Sequence, residues 1–149
     1  MRSMRIAVAA GLLSAVALAA ADRGTPDEAR AMLDKAAEHY KTAGRTQALA
    51  DFSAGKPPFK DRDLYVVCIG ADHKIAANGA FPQYVGVSAD LLKDAGGKPL
   101  AGAILASAAG SGSVDYPMIN PVTHAVEPKV IFTRKLGDDV CGVGAYKAP

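Results

Sequence analysis

The stretch from Val114 to Lys129 constrains the fold more than any other part of the chain, because two extended apolar runs are joined there by the turn Asn120-Pro121-Val122-Thr123. A third run follows directly. Strands are expected from about Ser113 to Ile119, Val126 to Lys135 and Asp139 to Tyr146, with Gly137-Asp138 as the second turn, so this half of the chain reads as an antiparallel meander. Tyr116 and Lys129 stand on the two strands of the first hairpin, which can aim both side chains at one concave face. That arrangement suits capture of a small molecule better than catalysis.

The preceding residues read first as helix and then as strand. Thr25-Pro26-Asp27-Glu28 supplies a capping hydroxyl, a proline for the first turn and a glutamate three residues after the cap, so a helix should begin there. Ala29, Met32, Leu33, Ala36, Ala37 and Tyr40 give it an apolar face, and Gly44 offers a left-handed stop. A shorter helix with Ala48, Leu49 and Phe52 inward should end near Gly55 and Pro57-Pro58. Leu64 to Ile69 then reads as a buried strand, Ala71 to Lys74 as a turn, Ile75 to Ala77 as a strand that pairs back, and Asn78 to Gly86 as a loop. A helix is expected from Lys98 to about Ala109, with Leu100, Ile104 and Leu105 inward. The order predicts an α+β fold: a five-stranded antiparallel sheet with helices packed on one side and the other side free to close over a ligand.

The N-terminus has the three-part layout of a secretory leader: Arg2 and Arg5, an apolar run from Ile6 to Ala20, and small residues ahead of Asp22. Cleavage is expected after Ala21, leaving one domain over residues 22–149 in the periplasm or outside the cell. The competing reading is a retained anchor, although the run is shorter than the ~20 residues of a membrane-spanning helix. The whole chain has 17 basic against 15 acidic residues, and two of the basic ones belong to the leader. The remainder is charge-balanced, and nothing marks a nucleic-acid surface. Cys68 and Cys141 lie in two expected strands. If those strands are neighbours in an oxidising compartment, a bridge closing a loop of roughly 70 residues adds ~4 kcal/mol by the chain-entropy model; the alternative is two buried thiols.

Several motifs in series carry a resemblance: Asp61-Arg62-Asp63-Leu64-Tyr65-Val66-Val67, Gly96-Gly97-Lys98-Pro99-Leu100, Gly110-Ser111-Gly112-Ser113-Val114-Asp115-Tyr116, Asn120-Pro121-Val122-Thr123 and Glu127-Pro128-Lys129. In this order, after two helices, they resemble a single Cache domain of the second type, over roughly Thr25 to Lys147. The resemblance implies an extracytoplasmic sensor with a PAS-like sheet that binds small ligands, often short organic acids, between the sheet and its covering segments. It implies no catalysis and no cofactor. Residue by residue, it points to Tyr65, Tyr116, Asn120 and Lys129 as pocket residues, with Lys129 as the partner of an anion. Three positions depart from the pattern: Asn78 stands where relatives tend to carry His, Met118 where they tend to carry Trp, and Phe132 where they often carry Tyr. Asn78 and Met118 join the candidate ligand-binding set, since each change there alters a polar handle or an aromatic wall.

Plainer readings stand beside these. Lys129 on a strand is often a solubilising surface lysine, and Tyr65 and Tyr116 serve equally as sheet packing. His39, His73 and His124 have no ligand spacing, so no metal site is expected. Asp61-Arg62-Asp63 and Asp138-Asp139 flank strands and read as solvent contacts. No serine sits on a strand-to-helix elbow, and Gly110-x-Gly112 and Gly142-x-Gly144 lack a helix capped for phosphate. The expected function is therefore a stand-alone module that binds a small organic anion such as a short carboxylate and signals through a separate membrane receptor or envelope protein. The alternative is a structural or interaction subunit with a vestigial pocket, and a homodimer fits either.

Overall fold

The computed structural model describes residues 23–147. The expected leader and its cleavage point lie outside the described residues. Helix α1 spans Pro26–Ala43 and opens with the anticipated capping box: Thr25 Oγ1 accepts from Glu28 N–H at 3.1 Å, and Glu28 Oε2 accepts from Thr25 N–H at 2.8 Å. Gly44, with φ of 83°, ends it in the left-handed region and leads at once into α2, Arg45–Ser53. Strands follow at β1 (Lys60–Asp61), β2 (Leu64–Ile69) and β3 (Ile75–Asn78). Helix α3 is Ala101–Ser107, and β4 (Ser113–Ile119), β5 (Val126–Leu136) and β6 (Asp139–Tyr146) form the meander.

Helix α3 starts later and ends earlier than its pattern suggested. Asp94 Oδ1 accepts from the N–H groups of Gly96 and Lys98, which holds that segment in a turn and leaves Lys98 to Leu100 outside the helix. The expected loop from Asn78 to Gly86 holds a 3₁₀ turn at Pro82–Tyr84, and a second such turn follows it at Ala89–Leu91.

The sheet is antiparallel, in the order β1-β2-β6-β5-β4, and β3 also pairs with β2. The long sequence gap between β2 and β6 is closed in register: Val66 faces Val143, and Cys68 faces Cys141. Those two cysteines are joined in a disulfide across the central strand pair, with Cα atoms 4.0 Å apart.

Alternation along the strands divides the core into two layers. Val66, Cys68, Cys141, Val143, Ala145, Val130 and Phe132 face α1 and α2, where they meet Ala29, Met32, Leu33, Ala36 and Phe52. The opposite layer joins Ile69, Ile131 and Val140 to Ile75, Leu100 and Ile104, with Val114, Tyr116 and Met118 at its margin. Phe132 therefore packs beneath the helices, with the Arg30 guanidinium 4.1 Å from its ring centre, and has no part in a ligand site on the other face.

Two aspartates expected at the surface are buried, and each ties separate elements together. Asp139 is fully enclosed and accepts from Tyr40 at 2.7 Å and from Arg45 at 2.9 and 3.0 Å, which locks α1 and α2 to the start of β6. Burial beside this carboxylate pushes the Tyr40 hydroxyl up to about 12. Asp63 accepts from Gly24 N–H at 2.6 Å and anchors the chain ahead of α1. Charged residues at strand ends are ordinarily solvated, and it is these specific donors that make burial tolerable here.

Replacing both Cys68 and Cys141 with Ala frees a loop spanning 73 residues and should lower unfolding free energy by ~4 kcal/mol. Urea unfolding of the two proteins measures the difference; a loss below about 1 kcal/mol would contradict this assignment of the bridge's effect.

Candidate functional site

Lys129 is the centre of the sheet face that turns away from α1. It lies opposite Tyr116 on β4 and Tyr146 on β6, so the three side chains share a face. Its stem crosses β6 where Gly144 leaves room: a Cβ at Gly144 would come within 2.5 Å of Lys129 Cε. The ammonium comes to rest 4.6 Å from the Tyr146 ring centre and 5.1 Å from that of Tyr65. Lys129 is only 3% exposed, and among the described residues it makes no ion pair and no hydrogen bond. Burying a lysine costs several kcal/mol without a counter-charge, and cation–π contacts worth roughly 0.5–2 kcal/mol offset only part of that.

The surrounding groups are polar but sparsely paired. Tyr146 donates to the Ile119 carbonyl at 2.9 Å, whereas the hydroxyls of Tyr65 and Tyr116 make no hydrogen bond to any described residue. Burial pushes the hydroxyls of Tyr116 and Tyr146 above the usual tyrosine range, and both remain neutral donors at ordinary pH. Asp63 is 3% exposed, and its Oδ2 is buried with no hydrogen-bond partner. Burial raises its pKa; the Gly24 N–H and the charges of Lys129 and Arg23 pull it partly back. Lys129 thus feels Asp63 from beyond ion-pair contact.

Next to this cluster a cleft of about 340 Å³ lies under the segment that folds back along β3. Tyr65, Asn78 and Met118 line it together with Ile75, Phe81, Tyr84, Val87, Leu91, Leu92 and Lys93. Hydrogen bonds from Ile75 N–H to the Val87 carbonyl and from Gly86 N–H to the Ile75 carbonyl hold the cover in place. Tyr65 joins the two regions, since it lines the cleft and also stands beside the Lys129 ammonium. Asn78 shapes the cover: its Oδ1 accepts from Ala80 and Phe81 N–H at 3.1 and 2.8 Å, which leaves its NH₂ end for the cleft. Two larger hollows, each about 410 Å³, lie between α1 and the Pro57-Pro58 loop and beside the β4–β5 hairpin. The second has Tyr116 and Lys129 in its lining together with Glu127 and Lys147, and neither is walled by several aromatic rings as the cleft is.

Asn120 has a different place from the one its motif implied. It is fully buried at the hairpin turn, where Oδ1 accepts from Val122 N–H at 2.8 Å and Nδ2 donates to Glu127 at 2.9 Å, and it lines none of the clefts. Glu127 also accepts from Thr123 Oγ1 and takes both guanidinium arms of Arg23, at 2.6 and 2.7 Å. That bidentate pair, with the added amide and hydroxyl donors, holds the Glu127 carboxyl at about 2. The Asn-Pro-x-Thr motif is therefore a clamp between the hairpin and the residues leading into α1.

The histidines stay apart: His39 pairs with Asp51 at 2.7 Å, while His73 and His124 occupy left-handed turn positions. Among the described residues no group of three or more His, Cys, Asp or Glu is placed to hold a metal ion. No helix of the described residues is long and apolar enough to cross a membrane. Sequence reasoning missed Tyr146, Gly144, Asp63 and the cleft wall formed by Phe81, Tyr84 and Lys93. A signal for Gly144 lay in its two-residue spacing from Tyr146 on a strand, which puts a missing side chain beside a large one.

The fold and the site belong to a class of sensor domains, and the comparisons identify the family. Residues 8–146 match the family described as Single Cache domain 2, and the chain belongs to it. Domains of this family bind ligands rather than catalyse reactions. No curated protein matches the chain. Among solved structures it is similar to a methyl-accepting chemotaxis protein from Vibrio parahaemolyticus RIMD 2210633, with TM-score 0.66 and 19% identity over 80% of this chain and 86% of that one. A periplasmic sensor domain of a chemotaxis protein aligns with TM-score 0.58 and 19% identity, covering 91% and 94% of the two chains. A Cache chemosensory domain described for carboxylic acid recognition aligns with TM-score 0.58 and 16% identity, covering 79% and 85%. At these identities the likeness is one of fold.

Two predictions follow from the geometry. A methyl group at Gly144 must push the Lys129 stem aside, so Gly144→Ala should destabilise the protein by roughly 1–3 kcal/mol. It should also move the Lys129 ε-methylene proton resonances downfield, away from the shielding rings; unchanged resonances would show that the stem does not cross this glycine. For Glu127, the folded pKa lies below its ordinary value of 4.5, so as pH falls the unfolded chain binds the proton first. The stability that Glu127 contributes is complete above about pH 5 and fades as pH drops toward about 2. Unfolding free energies of wild type and Glu127→Gln should therefore differ at neutral pH and converge in acid; a gap independent of pH would refute the assignment.

Proposed function

We propose that this chain is an extracytoplasmic sensor-type module which binds a small organic carboxylate at Lys129 and passes the bound state to a separate partner protein. The leader is removed near Ala21, and residues 22–149 act outside the cytoplasm. One observation carries the reading above the rest: Lys129, only 3% exposed, lies between two tyrosine rings with no ion pair among the described residues, and the hydroxyls of Tyr65 and Tyr116 make no hydrogen bond to any described residue. A carboxylate supplies the missing counter-charge and accepts hydrogen bonds from all three groups. The fold shared with a Cache domain described for carboxylic acid recognition supports the same ligand class.

The signal is a shift in population. Contacts that the ligand makes only when the cover from Phe81 to Leu92 is closed favour the closed state by their differential affinity. Tyr65 and Asn78 transmit this, since one touches both regions and the other fixes the start of the cover.

A second reading has its own support. Ile119 and Val126 face one another in register near the hairpin tip, exposed at 55% and 62%, with Val122 exposed beside them. Such a tip suits contact with a protein partner or a second copy, which is the interaction-subunit reading.

A thermal-shift screen of residues 22–149 against small carboxylates, amino acids and amines separates the two. A carboxylate at 100 times its dissociation constant should add ~2.7 kcal/mol, and Lys129→Met should abolish the response while retaining the fold. A flat response to every carboxylate, with a mass that rises with protein concentration, would favour the interaction subunit instead.

A further inference from the structure

We infer that the carboxylate bound here carries an apolar tail of several carbons or an aromatic ring, and that this tail lies in the cleft under the Phe81–Leu92 cover. The inference rests on the Lys129 reading and narrows its ligand class. At about 340 Å³ the cleft is within the range of roughly 300–1,000 Å³ seen for drug-sized ligands, and a two-carbon acid fills little of it. Its walls are Tyr65, Ile75, Phe81, Val87, Leu92 and Met118, with Asn78 and Lys93 as the main polar members. No aspartate or glutamate is among the lining residues, so an ammonium at the tail end of a ligand finds no counter-charge there, which disfavours acids with an ω-amino group.

The cleft and the lysine lie on one face of the sheet and meet at Tyr65. Met118 follows Tyr116 by two residues on β4 and points to the same side, and Tyr65 borders both the cleft and the ammonium. The aromatic edge is also left open: Tyr65 stands edge-on to Phe81 with ring centres 6.3 Å apart, Phe81 is 5.7 Å from Tyr84, and Phe81, Tyr84 and Leu91 are exposed. Large apolar side chains around an open cleft are an expense in water that a hydrophobic ligand relieves. An acid with its head at Lys129 and its tail beneath the cover meets the charge, volume and polarity of both regions.

Calorimetric titration of residues 22–149 with acetate, butyrate, hexanoate, phenylacetate and 6-aminohexanoate tests this. Affinity should rise about threefold to fourfold per added methylene from acetate to hexanoate, following the transfer energy of a buried methylene. Hexanoate should bind at least about tenfold more tightly than 6-aminohexanoate, whose ammonium lies beneath the cover without a counter-charge. Met118→Trp fills the cleft and should weaken hexanoate and phenylacetate about tenfold or more while sparing acetate, and Lys129→Met should remove binding of every acid. If acetate binds as tightly as hexanoate and depends on Lys129, the tail inference falls and the carboxylate-sensor reading stands. If no acid of any length binds, the Lys129 reading falls and takes the inference with it. The wild-type series decides between these outcomes even if Met118→Trp does not fold.

Discussion

Strand β6 occupies the middle of the sheet, and all 8 of its residues are buried. One side of the strand gives Cys141, Val143 and Ala145 to the core under α1 and α2. The other side gives Gly142, Gly144 and Tyr146 to the opposite face, where two missing side chains leave a shallow trough. The disulfide to β2 and the Asp139 contacts to Tyr40 and Arg45 fix the first half of this strand, and the Tyr146 hydroxyl bonded to the Ile119 carbonyl holds its far end. With β6 so placed, the Lys129 stem passes over Gly144 and ends between Tyr65 and Tyr146.

The energetics of this arrangement point toward ligand capture. A lysine that crosses a glycine trough into a nest of tyrosines does little for stability, since its desolvation exceeds what cation–π contacts return. A surface position would serve solubility better. The same geometry suits a site that must meet an anion with its donors already aligned, because little ordering is then left to be done on binding. Asp63 tempers the cost from a distance and, through Gly24, ties the entry of α1 to the base of the same site.

Much of the architecture was legible in the residues. The capping box at Thr25, the glycine stop at Gly44 and the alternation in the last three strands each follow from local chemistry, and the helices and hairpins formed where those rules placed them. The face shared by Tyr116 and Lys129 was legible for the same reason, since a strand has a period of two. What could not be read was set by distant contacts. Asp63 and Asp139 look like surface charges until Gly24, Tyr40 and Arg45 arrive from elsewhere in the chain. Asn120 was a pocket residue only by what the resemblance implies, and Glu127, Arg23 and Thr123 draw the whole motif into a structural clamp. Asn78 to Gly86, where the cover begins, read as loop, because Gly79 and Pro82 announce irregular backbone and say nothing about which aromatic rings that backbone presents.

Whether Lys129 receives the ligand's carboxylate can be seen in a crystal structure of residues 22–149 grown with phenylacetate. A carboxylate oxygen is expected within about 3 Å of Lys129 Nζ, hydrogen-bonded to Tyr65 or Tyr116, with the ring under the Phe81–Leu92 cover. Phenylacetate held at the cleft mouth by Lys93, with Lys129 still enclosed between Tyr65 and Tyr146 and touching no ligand atom, would contradict it.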